Sequence, residues 1–145
     1  MIDGVSIIRP KHFIDERGSV MRMLRTDDPY FQNFAEIYFS TVNPGAIKGW
    51  KRHNEMTMNI AVPMGRMLYV LYDSRPGSPT QGMIQEIDMG PHDYKLAIIP
   101  PGLWTGFKSL GDGPALVANC PSILHRPDEA DNLPIDDPSI PYHWA

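Results

Sequence analysis

Eight consecutive residues, Lys48-Gly49-Trp50-Lys51-Arg52-His53-Asn54-Glu55, hold the densest group of chemically capable side chains in this sequence. A histidine titrates near neutral pH and suits proton transfer. A charged lysine holds a carbonyl or phosphate oxygen, and it becomes a base or an amine nucleophile only where burial or a nearby cation lowers its pKa. On a strand, alternation places Lys51 and His53 on one face and Trp50 and Arg52 on the other. In a barrel wall, one of those faces turns to an interior that can receive a ligand. The competing reading is a solvated edge strand whose lysines discourage pairing with other chains. The run by itself leaves both open.

The elements that must position these residues read as strands. Twelve glycines and fifteen prolines punctuate the chain at Pro44-Gly45, Pro63 to Gly65, Pro76 to Pro79, Gly90-Pro91, Pro100 to Gly102 and Gly111 to Pro114. Between them lie short runs rich in β-branched and aromatic residues. These are Glu36 to Val42, Ala46 to Arg52, Met58 to Val62, Met67 to Tyr72, Met83 to Ile87, Leu96 to Ile99, Leu103 to Leu110 and Ala115 to Asn119. Short strands with frequent turns predict an all-β sandwich or barrel. Asp28 to Phe34 is expected to form at most a helical turn. One domain spanning 1–145 is expected. Residues 127–145 are acidic and proline-rich yet end in Ile140, Tyr142 and Trp144, which predicts an arm packed back on the barrel.

Composition excludes several functions. With 42% hydrophobic residues and a net charge of −4, the chain is not disordered as a whole. It also lacks the positive charge that phosphate-driven nucleic-acid binding requires. A single cysteine, Cys120, excludes an intrachain disulfide and a cysteine-rich zinc site, and suits a reducing cytoplasm. No basic leader opens the sequence and no apolar run is long enough for a membrane span, so a soluble protein without a membrane partner is expected. The nine methionines read as core filler. His12, His92, His125 and His143 read as surface or packing residues, and Asp73, Arg75, Ser78 and Thr80 as a turn framework.

Several motifs fall in a particular order: Asp15-x-Arg17-Gly18, Lys48-Gly49-x-Lys51, Asp73-Ser74-Arg75 with Ser78-Pro79-Thr80-x-Gly82, Ile99-Pro100-Pro101-Gly102-x-x-x-Gly106-Phe107, and Asp137-Pro138 before Trp144. In this order the sequence resembles the dTDP-4-dehydrorhamnose 3,5-epimerases and their shorter relatives, from about residue 12 to Trp144. The resemblance implies a cupin-type antiparallel jelly-roll barrel, a homodimer that exchanges N-terminal strands, and a nucleotide-linked keto-deoxysugar as ligand. It implies removal of a proton beside the sugar's 4-keto group and its return on the opposite face. That chemistry needs a base, an acid and a cation for the enolate.

Carried over by position, the resemblance puts Lys51 at the base and Lys48 at the arginine before the glycine. It puts Met58 at the enolate lysine, Ala118 at the acid tyrosine, and Thr105 at a histidine of the glycine-phenylalanine motif. Arg17, expected to reach the diphosphate, and Asp137, expected to back the base, are retained. The candidate catalytic residues are therefore Lys51, His53 and Asp137, and the candidate substrate-binding residues are Arg17, Lys48, Thr105 and Asn119. Only one of the usual cupin metal ligands, His53, remains, so neither a metal nor another cofactor is expected. The activity implied is that of an epimerase or isomerase; the alternative is a non-catalytic cupin that binds a sugar nucleotide or assists a partner enzyme.

Overall fold

A computed structural model describes residues 1–145. In chain order its strands are β1 (Ser6–Ile8), β2 (His12–Asp15), β3 (Gly18–Met21), β4 (Tyr38–Val42), β5 (Ile47–His53) and β6 (Met58–Met64). They continue with β7 (Met67–Asp73), β8 (Ile84–Met89), β9 (Leu96–Ile99), β10 (Leu103–Ser109), β11 (Ala115–Asn119) and β12 (Ala130–Asn132). The first sheet has the order β1-β9-β6-β11-β4 and the second β12-β5-β10-β7-β8, with β2 and β3 forming a separate hairpin. All strand pairs are antiparallel. The architecture is the all-β, cupin-type jelly roll. Asp28 to Phe34 forms no helix: a turn closed by Phe31 N donating to Asp28 O follows one closed by Asp28 N donating to Arg25 O, and Phe31 to Phe34 is irregular. No helix is long and apolar enough to cross a membrane.

The strand pattern follows from which faces are covered. In β7, Met67, Tyr69 and Leu71 enter the main core with Met58, Ile60 and Val62 of β6. The alternate residues Leu68, Val70 and Tyr72 enter a second cluster with Trp50, Trp104, Ile140 and Trp144. A strand buried on both faces reads as a continuous apolar run, which is why Met67 to Tyr72 shows no polar alternation. Residues 133–144 make the second face buried by lying across the outside of the second sheet.

Two local features lock this arrangement. Trp144 packs on Gly106, where an added Cβ would come within 2.8 Å of the indole ring. At the end of β7, the fully buried Asp73 carboxylate accepts from the Arg75 guanidinium at 2.9 Å, Ser78 Oγ at 2.7 Å and Thr80 Oγ1 at 2.6 Å. The Arg75 hydrogen bond holds this carboxyl well below the usual range against the opposing effect of burial. The turn framework is thus a closed polar knot.

Because the arm sits directly on Gly106, Gly106→Ala should displace Trp144. The expected result is a loss of about 1–3 kcal/mol of stability and a change in tryptophan fluorescence, measured by thermal unfolding followed at both signals.

Candidate active site

Beside the main core, the two sheets enclose a cavity of about 400 Å³. Its second-sheet wall carries Lys48, Lys51 and His53 of β5, Tyr69 of β7 and Thr105 of β10, and Asn132 of β12 stands at the edge. Its first-sheet wall carries Tyr38, Met58, Val117 and Asn119, among others. Regular alternation would not bring Lys48 and Lys51 to the same face. The register explains it: Lys51 opposes Thr105 and Gly49 opposes Gly106, so β5 has one extra residue, Trp50, against β10. The bulge turns Trp50 outward, where its indole N–H donates to Ile135 O at 3.2 Å. Gly49 permits this with φ +153° and no side chain; a Cβ there would lie 2.8 Å from Gly106 Cα.

His53 is buried and its Nδ1 lies 2.6 Å from Glu129 Oε1. The other oxygen of Glu129 accepts three successive backbone N–H groups, from Asn54 at 2.9 Å, Glu55 at 2.8 Å and Met56 at 3.0 Å. Burial pushes the Glu129 carboxyl up, but the His53 hydrogen bond and the Met56 and Asn54 amides together outweigh it and hold it below the ordinary value. An ionised carboxylate only accepts, so Nδ1 carries a proton toward Glu129, and Nε2 is the ring nitrogen left without a partner in the protein. This is the arrangement of an oriented general base.

The two lysines differ. Lys48 Nζ donates to Thr41 O at 2.6 Å, which anchors it at the cavity rim. Lys51 has no carboxylate partner, because the neighbouring acids are taken: Asp131 by Arg52 and Glu129 by His53. Its ammonium is available to a ligand oxygen. Thr105 Oγ1 donates to Lys51 O at 3.2 Å, and Asn119 Nδ2 donates to the Tyr38 hydroxyl at 2.9 Å.

Of the seven residues singled out from sequence, Lys51, His53, Lys48, Thr105 and Asn119 meet at this cavity. Asp137 does not. Its carboxylate caps a turn in the arm, accepting from Ser139 N at 2.9 Å and Ser139 Oγ at 2.5 Å. The carboxylate that reaches the site is Glu129, brought by the pairing of β12 with β5. Arg17 is also outside the cavity, at the tip of the β2–β3 hairpin and paired with Asp15 at 2.8 Å. Ala118 is placed on the outer face, opposite the exposed Phe39 of β4, so the inward positions of β11 are Val117 and Asn119. Sequence reasoning missed Glu129, Tyr38, Tyr69 and Asn132. Glu129 gave no local signal, since it is one acid in an acidic tail. No group of three His, Cys, Asp or Glu side chains is placed to share a metal ion.

Comparison with known proteins shows which proteins this chain resembles. The probable low-salt glycan biosynthesis epimerase of Haloferax volcanii is 38% identical over 135 residues, covering 90% of this chain and 86% of its own. Among solved structures, a dTDP sugar isomerase from Desulfovibrio desulfuricans superposes with a TM-score of 0.95 at 46% identity, covering 99% of this chain and 92% of the other. A dTDP-6-deoxy-D-glucose-3,5-epimerase from Legionella pneumophila, solved with dTDP-4-keto-L-rhamnose, superposes with a TM-score of 0.87 at 25% identity, covering 99% and 79%. The family model described as dTDP-4-dehydrorhamnose 3,5-epimerase matches residues 1–145, and the chain belongs to that family.

Proposed function

We propose that this protein epimerises a nucleotide-linked 4-keto-6-deoxysugar, with His53 as the base. The carrying observation is the His53–Glu129 pair at the wall of a cavity whose rim holds two lysines. His53 Nε2 removes the proton from the carbon beside the keto group, and Glu129 stabilises the imidazolium that forms. Lys51 holds the keto oxygen as it becomes an enolate, replacing the usual family lysine whose place is taken by Met58. Lys48 faces the sugar's diphosphate, and Thr105 and Asn119 line the pocket. Asp137 has no part in the proton transfer. The Legionella relative's ligand, dTDP-4-keto-L-rhamnose, defines the substrate class to be tried first.

The chain works as a cytoplasmic homodimer in which the β2–β3 hairpin, exposing Phe13, Ile14 and Val20, packs on the second copy and carries Arg17 to its diphosphate. Exposed apolar side chains on a two-stranded hairpin without a covering layer support that association. Sedimentation at micromolar protein should give a dimer; a monomer would remove Arg17 from the site.

Solvent deuterium should enter a dTDP-4-keto-6-deoxysugar in the presence of this protein. His53→Ala and Lys51→Met should each slow that exchange by about a hundredfold or more. Binding of the sugar nucleotide, read as a rise in melting temperature, should survive His53→Ala. Binding without any exchange by the native protein would favour the non-catalytic alternative.

Glu129 also ties the site to acid stability. Its carboxyl lies lower folded than unfolded, so its contribution is fully present above the unfolded value and is lost as pH falls through the folded one. Glu129→Gln should therefore destabilise the protein at neutral pH and flatten the acid limb of its stability profile, measured by denaturant unfolding across pH 3 to 7, a range of about four units around the ordinary carboxylate value.

A further inference from the structure

Inverting a carbon centre requires proton donors and acceptors on both of its faces, and the cavity has two walls from two different sheets. His53 occupies the second-sheet wall. On the first-sheet wall the side chains are Tyr38, Ser40, Met58, Ile60, Val117 and Asn119. Of these only the Tyr38 phenol has an acidity suited to protonating a carbanion; an aliphatic hydroxyl and an amide do not. We infer that Tyr38 is the catalytic proton donor of the face opposite His53, an assignment that rests on the keto-sugar reading above.

The hydrogen bonding around Tyr38 fits this role. Its oxygen accepts from Asn119 Nδ2 at 2.9 Å, and its own O–H meets no acceptor in the protein. The phenolic proton is thus uncommitted and directed by a donor behind it, as Nε2 of His53 is without a partner and the ring is directed by Glu129 at Nδ1. Asn119 is itself fixed, since its Oδ1 accepts from Asn59 N at 3.2 Å. Burial raises the Tyr38 pKa, the Asn119 hydrogen bond opposes that, and the charges of Glu36 and Glu129 add to the rise. The phenol is consequently protonated at neutral pH.

Tyr69, the other phenol in the cavity, is a poorer fit. It lies on His53's own sheet, stacks on Phe107 with ring centroids 5.3 Å apart, and burial pushes its pKa much further up.

The step balances as follows in atoms and electrons. His53 Nε2 takes the proton, the C–H pair forms the C=C bond, and the carbonyl π pair moves to the oxygen facing Lys51. The oxygen pair then re-forms C=O, and the C=C pair takes the Tyr38 proton on the opposite face. The phenolate left beside Asn119 regains a proton from water, and the imidazolium releases one to water.

The test separates exchange from inversion. With dTDP-4-keto-6-deoxyglucose in deuterium oxide, the native protein should show deuterium uptake and epimer formation together. Tyr38→Phe should cut epimer formation by about a hundredfold or more. Deuterium uptake into unepimerised substrate should continue within about tenfold of native, because His53 still removes and returns the proton on its own face. Asn119→Asp keeps the acceptor for Asn59 N but replaces the donor to Tyr38 with an acceptor; it should lower epimer formation more than exchange. Melting temperatures of both variants report the fold. Epimer formation at the native rate in Tyr38→Phe, or equal loss of both signals in a folded Tyr38→Phe, would overturn the assignment while leaving His53 in place. Absence of both signals in the native protein would overturn the keto-sugar reading and this assignment with it.

Discussion

The carboxylate of Glu129 is buried, and the barrel supplies the hydrogen bonds that solvent would otherwise give it. Three consecutive amides of the turn after β5 donate to one oxygen and the His53 imidazole donates to the other. A buried charge without such partners costs several kcal/mol, so the tail residue and the turn hold each other in place. This contact ties the C-terminal segment to the strand that carries Lys51 and His53. It sets the direction of the imidazole and completes the second sheet through β12. The cavity wall, the orientation of His53 and the edge residue Asn132 are all tied to this one carboxylate through the β12–β5 pairing.

The bulge in β5 serves the same site in a different way. A straight strand would present either Lys51 and His53 or Lys48 and Trp50, not all three polar residues. The extra residue at Trp50 releases that constraint. Its indole turns out into the second apolar cluster and its neighbours turn in. The outward packing of Trp50, Trp104 and Trp144 and the inward grouping of two lysines with a histidine are therefore two consequences of one local irregularity. Gly49 and Gly106 allow the backbones to approach closely enough for it.

The family's chemistry places demands on a cavity, not on fixed alignment positions. Met58 faces the cavity where an enolate-binding lysine is expected, and Lys51 brings an unpaired side chain from the preceding strand in the chain. Ala118 faces outward beside Phe39, while Tyr38 reaches the cavity from the strand paired to it. In the proposed reaction, His53 with its carboxylate and the Tyr38 phenol stand on facing sheets, although each arises at a different place in the chain.

Much of the fold was legible in the sequence, because turn residues and β-branched runs act locally. Leu96 to Ile99 and Ala115 to Asn119 are strands with those bounds, and the other expected runs shift by one or two residues, mostly at their ends. The short strands β1, β2, β3 and β12 were not legible, since each mixes polar residues into three or four positions, whereas the equally short Leu96 to Ile99 is apolar throughout. The pairing of Lys51 with His53 on one face was legible from alternation alone. The carboxylate was not: Asp137 carried the motif and Glu129 carries the contact, and the two differ only in where the tail crosses the barrel. Residue types and their order along the chain determined the strands and the chemistry available to them. Which acid meets which histidine, and which tyrosine faces the cavity, was decided by antiparallel pairing between residues as far apart as His53 and Ala130 or Tyr38 and Asn119. Burial makes such distant partners necessary, and no local signal records them.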